Sequence, residues 1–118
     1  MTTLQRGMII DVNLDPTLGS ETVKTRPCIV ITNDIYNQRV PVIQVVPITA
    51  WSAKKSKIVT NVEIESTPDN GLTKQSVADC LQTRPIDYGM RLVRVRGHLS
   101  TDLMQGIDQA LKVVFGLK

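Results

Sequence analysis

From Arg6 to about His98, apolar residues recur at a period of two in short runs broken by turn-forming residues; only from Ser100 onward does the period lengthen to three or four. A period of two puts alternate side chains on one face of a strand, whereas a period near 3.6 builds a helical stripe. A chain patterned this way has few options beyond a sheet of short strands closed by one C-terminal helix. "RGMIIDVNL", residues 6–14, reads as a strand with Met8, Ile10, Val12 and Leu14 on one face. "CIVITND" and "VPVIQVVPITA" are two more, separated by "IYNQR", which predicts a turn near Asn37. Pro41 and Pro47 predict that the latter strand starts at a sheet edge and is interrupted near its end, because proline has no N–H to give to a ladder. "IVTNVEIE" (58–65), "QSVADCLQ" (75–82) and "RLVRVRG" (91–97) complete the strands. The last alternates arginine with apolar residues, which suits a strand with one solvated or ligand-facing side.

The helix should carry Leu103, Ile107, Ala110, Leu111 and Val114 on one stripe, with Ser100 as its N-cap, Asp102 near the positive end of its dipole and Gly116 at its C-terminal cap. The long stretch "DPTLGSETVKT", residues 15–25, has no sustained apolar face and reads as a loop; loops of that length in a small domain are usually functional or mobile. Nothing marks a linker or a repeat, so residues 1–118 are expected to form one domain. Cys28 and Cys80 fall inside apolar runs with no metal-ligand spacing, which predicts two reduced core thiols. No stretch approaches the roughly 18 apolar residues of a membrane span, and the N-terminus lacks the layout of a secretory signal; the expectation is a cytoplasmic protein with no membrane association.

Catalytic equipment is sparse. His98 is the only histidine, which excludes a site built from several imidazoles, and there is no phosphate-binding glycine loop, dinucleotide fingerprint or nucleophile elbow. The net charge of +3 favours an anionic partner, nucleic acid or an acidic protein tail. Arg26, fixed by Pro27 at the mouth of a core strand, offers a fork that matches phosphate oxygens; read by spacing alone it is a salt bridge on the domain rim. Thr49 stands at the end of a strand, where side chains commonly emerge into a site. Lys54, Lys55 and Lys57 suit a nucleic-acid backbone or a solvated face equally. Trp51 beside them is a stacking platform for a base or a packing residue of a core or dimer.

Taken in order, "RGMIIDVNLDPTLGSETVKTRPCIVITND", "VPITA", "QTRPID" and "GHLS" resemble the opening, the "VPxTS" strand end, the "QxRTID" stretch and the "GxLS" helix start of the MazF/PemK/Kid toxin endoribonucleases. The resemblance runs over nearly the whole chain. It implies a β-rich α+β fold, a small SH3-like barrel or strongly twisted antiparallel sheet with a C-terminal helix. It also implies metal-independent, sequence-specific cleavage of single-stranded RNA with no cofactor, leaving 2′,3′-cyclic phosphate and 5′-OH ends. Arg26 and Thr49 match the family's catalytic pair. Glu21 and Gln82 match contacts to RNA bases, although loop capping and strand-end hydrogen bonding account for the same two residues. Lys24, Trp51, Ser52, Lys54, Lys55, Lys57 and Arg84 complete the implied RNA surface. A homodimer is implied, as is a cognate antitoxin whose disordered acidic and apolar tail covers the groove.

The chain departs from the pattern at four places. Leu81 stands where an acidic residue is common, with Asp79 two residues earlier to compensate; Lys24 replaces a glycine, with Thr25 beside it; Pro85 replaces the threonine of "RTID"; and Ala50 replaces the serine of "TS". These changes bear on the recognised RNA sequence more than on cleavage. Two rival functions share the fold: a gyrase poison of the CcdB type, which lacks the Arg-Pro and threonine pair, and a binding module without catalysis.

Overall fold

The computed structural model describes residues 3–21 and 24–118. Its strands are β1 (Met8–Asn13), β2 (Thr25–Val30), β3 (Val42–Ala50), β4 (Asn61–Ile64), β5 (Ser76–Asp79), β6 (Arg84–Asp87) and β7 (Leu92–His98). Three single-turn helices, α1 (Asp34–Asn37), α2 (Ala53–Ser56) and α3 (Tyr88–Arg91), join them, and α4 (Thr101–Phe115) closes the chain. The strands run antiparallel in the order β4–β5–β3–β2–β1–β7, with β6 also paired to β3. The expected antiparallel sheet with a C-terminal helix is present, but β4 and β7 end the order without meeting, so the sheet stays open and no barrel closes.

Strand β3 organises this sheet. One edge pairs with β2 from Cys28↔Pro47 to Val30↔Val45; the other pairs with β6 along Val42–Val45 and with β5 along Ile48–Ala50. Pro47 therefore does not interrupt the strand, as the sequence suggested. The missing N–H falls at the seam where β3 exchanges β6 for β5, so no ladder bond is lost there. β6 itself went unread, because "RPID" is short and contains Pro85; it persists only because Ile43↔Ile86 locks it to β3. Similarly, "IVTNVEIE" becomes a strand only from Asn61, leaving Ile58 and Val59 exposed in a turn, and "QSVADCLQ" ends at Asp79 in a 3₁₀ turn, Cys80–Gln82. The turn near Asn37 is α1, capped by the Asn33 side chain, which accepts from Ile35 N at 2.9 Å.

Both faces of the sheet are buried at its centre. Ile9, Ile29, Val46 and Ile48 pack on one side with Met104, Ile107 and Ala110 of α4, while Ile10, Val12, Leu14, Cys28, Val30, Ile43, Val45 and Ile86 fill the other. The single apolar face read for β1 is thus half of the truth, since Ile9 is fully buried beneath the helix. The helix begins where expected, with Ser100 Oγ accepting from Leu103 N at 3.2 Å, and ends on Gly116 at φ +68°, a left-handed cap that glycine adopts without strain. Arg6 straps this arrangement by donating to Asp108 of α4, and its backbone N–H reaches Asp34.

The two thiols lie in the two different core clusters, unpaired, and burial pushes each up to about 12. Folding thus favours the protonated thiol, so this part of the stability is complete at neutral pH and fades above about 9, where an unfolded cysteine ionises. A thiol-specific reagent at pH 8 is expected to label neither cysteine in the native protein and both in denaturant.

Candidate active site

Arg26 and Thr49 lie on the adjacent strands β2 and β3, whose register runs Val30↔Val45, Ile29↔Val46, Cys28↔Pro47. The pairing ends at Cys28↔Pro47, and Arg26 and Thr49 each lie two residues beyond it on their own strands. Alternation places Arg26 on the face of Cys28 and Val30, and Thr49 on the face of Pro47 and Val45. Cys28, Val30 and Val45 share one core cluster, so the two candidate catalytic side chains leave the same side of the sheet at the end of that cluster. Arg26 is half-buried and pairs across β1 with Val12, which fixes its backbone before any ligand arrives.

A groove of ≈ 650 Å³ opens on this side, lined by Ser20, Glu21, Pro47, Leu81, Gln82, Thr83, Arg84 and Pro85. Three of the expected RNA contacts, Glu21, Gln82 and Arg84, are therefore walls of one groove, and Pro47 ties it to the strand that carries Thr49. Glu21 also caps its own loop, Oε1 accepting from Leu18 N at 2.5 Å. Gln82 Nε2 donates to Asp79 Oδ2 at 3.1 Å across the 3₁₀ turn, which brings a nearby acidic group to the glutamine. Arg84 Nη1 donates to Leu14 O at 3.2 Å, and its charge acts on Cys28, lowering a thiol that burial otherwise raises. The guanidinium is thus held beside the strand that bears Arg26.

The basic connector is more ordered than its composition suggested. Ser52 caps α2, its Oγ accepting from Lys55 N at 3.1 Å. Lys55 folds back onto β3, donating from Nζ to Ala50 O at 3.1 Å and to Thr49 Oγ1 at 3.3 Å. Lys54 and Lys57 are exposed. Trp51, 39% exposed, is not a core residue; its Nε1 donates to Glu63 Oε1 at 2.7 Å, which sets the plane of the indole. Arg91, not singled out from the sequence, donates to Asn13 O at 2.9 Å and Asp15 O at 2.7 Å, and so ties α3 to the start of the long loop. Its only signal in the sequence was its place in an alternating arginine run. Arg94 and Arg96 of that run both turn an Nε to the buried Asp11 carboxylate, donating at 2.6 Å, while Arg94 stays 62% exposed, as a solvated side requires.

Lys24, at the position where the family resemblance implies glycine, has a left-handed backbone at φ +69°. Its N–H donates to Asp15 Oδ1 at 3.0 Å and its carbonyl accepts from Leu14 N at 3.0 Å, so the loop demands this geometry whatever the residue. Left-handed backbone costs a non-glycine residue roughly 1–2 kcal/mol, and glycine returns about half of that as unfolded-state entropy. Lys24→Gly is expected to raise stability by about 0.5–1 kcal/mol, read as a higher urea midpoint at unchanged slope.

An open antiparallel sheet with a C-terminal helix carries a groove edged by one carboxylate, one amide and one guanidinium, those of Glu21, Gln82 and Arg84. The chain belongs to the family of PemK-like, MazF-like toxins of type II toxin-antitoxin systems, whose model matches residues 5–115. It is similar to Endoribonuclease EndoA of Bacillus subtilis (strain 168), 37% identical over 114 residues that cover 97% of this chain and 96% of that one. The fold is similar to that of MazF from Deinococcus radiodurans, with a TM-score of 0.85 at 18% identity over 99% of this chain and all of that one. It is also similar to a mycobacterial endoribonuclease solved with its cognate antitoxin, with a TM-score of 0.77 at 19% identity over 98% and 97% of the two chains. Among the described residues, no helix is long and apolar enough to cross a membrane.

Proposed function

We propose that this chain is a sequence-specific endoribonuclease toxin that cleaves single-stranded RNA without a metal ion. The observation that carries this reading is the groove walled by Glu21, Gln82 and Arg84, which reaches Pro47 on β3, with strand alternation assigning Thr49 to the face of Pro47 and Arg26 to the face of Cys28 on the neighbouring strand. In the reaction the ribose 2′-oxygen bonds to the adjacent phosphorus as the bond to the 5′-oxygen breaks. The 2′-hydroxyl gives its proton to solvent water and the 5′-oxygen takes one from Arg26, which water reprotonates, so the products are a 2′,3′-cyclic phosphate and a 5′-OH end. Negative charge grows on the equatorial phosphate oxygens, and a preorganised guanidinium and hydroxyl stabilise it where it develops. Arg26 is a poor general base, because a guanidinium carries only donors and has no lone pair to accept a proton. Its role is to hold the phosphate and to protonate the leaving oxygen, while Thr49 holds a phosphate oxygen.

Glu21 and Gln82 serve to read base edges, which demands unpaired bases and hence single-stranded RNA. Trp51 serves as a stacking surface, and Lys24, Lys54 and Lys57 follow the backbone. The partners proposed are a second copy of the chain and a cognate antitoxin with an acidic, apolar tail; the solved mycobacterial complex and the net charge of +3 support the latter. The site of action proposed is the cytoplasm. Incubation with a long single-stranded RNA in excess EDTA, followed by mapping of the ends, tests the reading. Cuts at one short sequence ending in cyclic phosphate are expected, and intact RNA would sink it.

A further inference from the structure

Lys55 stands apart from the two lysines beside it. Its N–H is held by Ser52 Oγ at 3.1 Å, its carbonyl accepts from Asn61 Nδ2 at 3.1 Å and Ile58 N at 3.2 Å, and its ammonium is directed onto the end of β3. There the Nζ bridges Ala50 O and Thr49 Oγ1. A lysine pinned at backbone and side chain, half-buried, is not placed to trail along a solvated strand of RNA.

An ammonium has three protons to give and no lone pair to receive one. The Thr49 hydroxyl therefore only accepts from Lys55, and its own proton must go to something else. We infer that Lys55 is a positioning residue: it sets the Thr49 hydroxyl as a donor to the scissile phosphate and brings a fixed positive charge next to it. The inference rests on the reading of the site as an RNA-cleaving one. Two of the three ammonium protons are engaged, by Ala50 O and Thr49 Oγ1, which holds the charge against the hydroxyl. A hydroxyl polarised by a cation is also a stronger donor than one left to water, because linked hydrogen bonds reinforce each other. No proton changes hands between Lys55 and Thr49; the lysine acts on direction and field.

The test uses a short RNA with one mapped cut. Single-turnover rates at saturating protein are compared with affinities for the same RNA carrying 2′-deoxyribose at the scissile nucleotide, read by the fluorescence of Trp51, the only tryptophan. Lys55→Met is expected to slow cleavage about 10²-fold, as loss of a preorganised donor does, with affinity changed less than about threefold. Lys55→Arg, which keeps a cationic donor, should return the rate to within about tenfold of wild type. Added to Thr49→Val, Lys55→Met should cost less than about threefold more, since the two act as one unit. Lost affinity with an intact saturated rate, or losses that multiply in the double variant, would overturn the inference and leave Lys55 as a backbone contact. If Lys55→Met melts below the assay temperature, Lys55→Arg decides: a folded arginine variant slower than wild type by about 10²-fold overturns it. Wild-type protein that leaves RNA whole removes this inference together with the proposed function, whereas wild-type cleavage with an unaffected Lys55→Met removes this inference alone.

Discussion

Arg26→Ala is expected to slow RNA cleavage by about 10³-fold or more, the range seen when a cationic clamp on a transferring phosphoryl group is removed. Pro27 locks its own φ and is placed opposite Asp11, while Arg26 itself is paired with Val12, so the backbone that carries the guanidinium is fixed before RNA binds and that freedom is not lost in the transition state. Arg26→Lys should recover less than a tenth of the lost rate, because an ammonium gives a point charge where a planar fork is needed. Affinity for an RNA blocked by 2′-deoxyribose at the cut should fall about tenfold at most, since the interaction counts chiefly where charge develops. A variant that still cuts at a rate near wild type would move catalysis away from Arg26.

The second large effect falls on stability. Asp11→Ala is expected to cost about 3 kcal/mol, measured by urea unfolding, out of the roughly 5–15 kcal/mol typical of a domain this size. The Asp11 side chain is 7% exposed and both of its oxygens are engaged, one by Arg94 Nε and one by Arg96 Nε. Arg94, 62% exposed, relaxes into solvent when the carboxylate goes; Arg96, 17% exposed, cannot follow without leaving Gly71 O, to which its Nη1 donates at 2.8 Å. The cost thus comes mainly from one stranded guanidinium. Replacing both partners, in Asp11→Leu with Arg96→Met, should recover most of the loss, because an apolar pair of similar volume avoids the desolvation of the ions. A double variant no better than Asp11→Ala would show that the carboxylate itself, not the orphaned arginine, holds β7 to β1.

Much of the fold was legible in the sequence because local rules sufficed for it. The apolar stripe of α4 and its Ser100 and Gly116 caps follow from spacing and side-chain chemistry within a few residues, as does the anchoring of Arg26 by Pro27. β6 and the course of β3 past Pro47 were not legible, since both depend on which strand lies alongside. The arginines of β7 read as a solvated or ligand-facing side, and nothing near them in sequence announces Asp11, more than eighty residues away. The site divides in the same way. The motifs named Arg26 and Thr49, but their juxtaposition is a property of the β2–β3 register, and the groove walls come from segments as distant as Ser20 and Pro85.

Sequence alone determined the class of fold, the separation of sheet from helix and the chemical types available for catalysis, because periodicity, caps and prolines act over a turn or a strand. The tertiary structure decided what those groups do. It took one lysine from a run of three and set it on a threonine hydroxyl, turned an arginine row into the clamp of a buried carboxylate, and kept a left-handed bend at Lys24 without the glycine that favours it. Each of these outcomes depends on which groups become neighbours when distant segments pack, and that choice is made by the burial of both faces of the sheet at once.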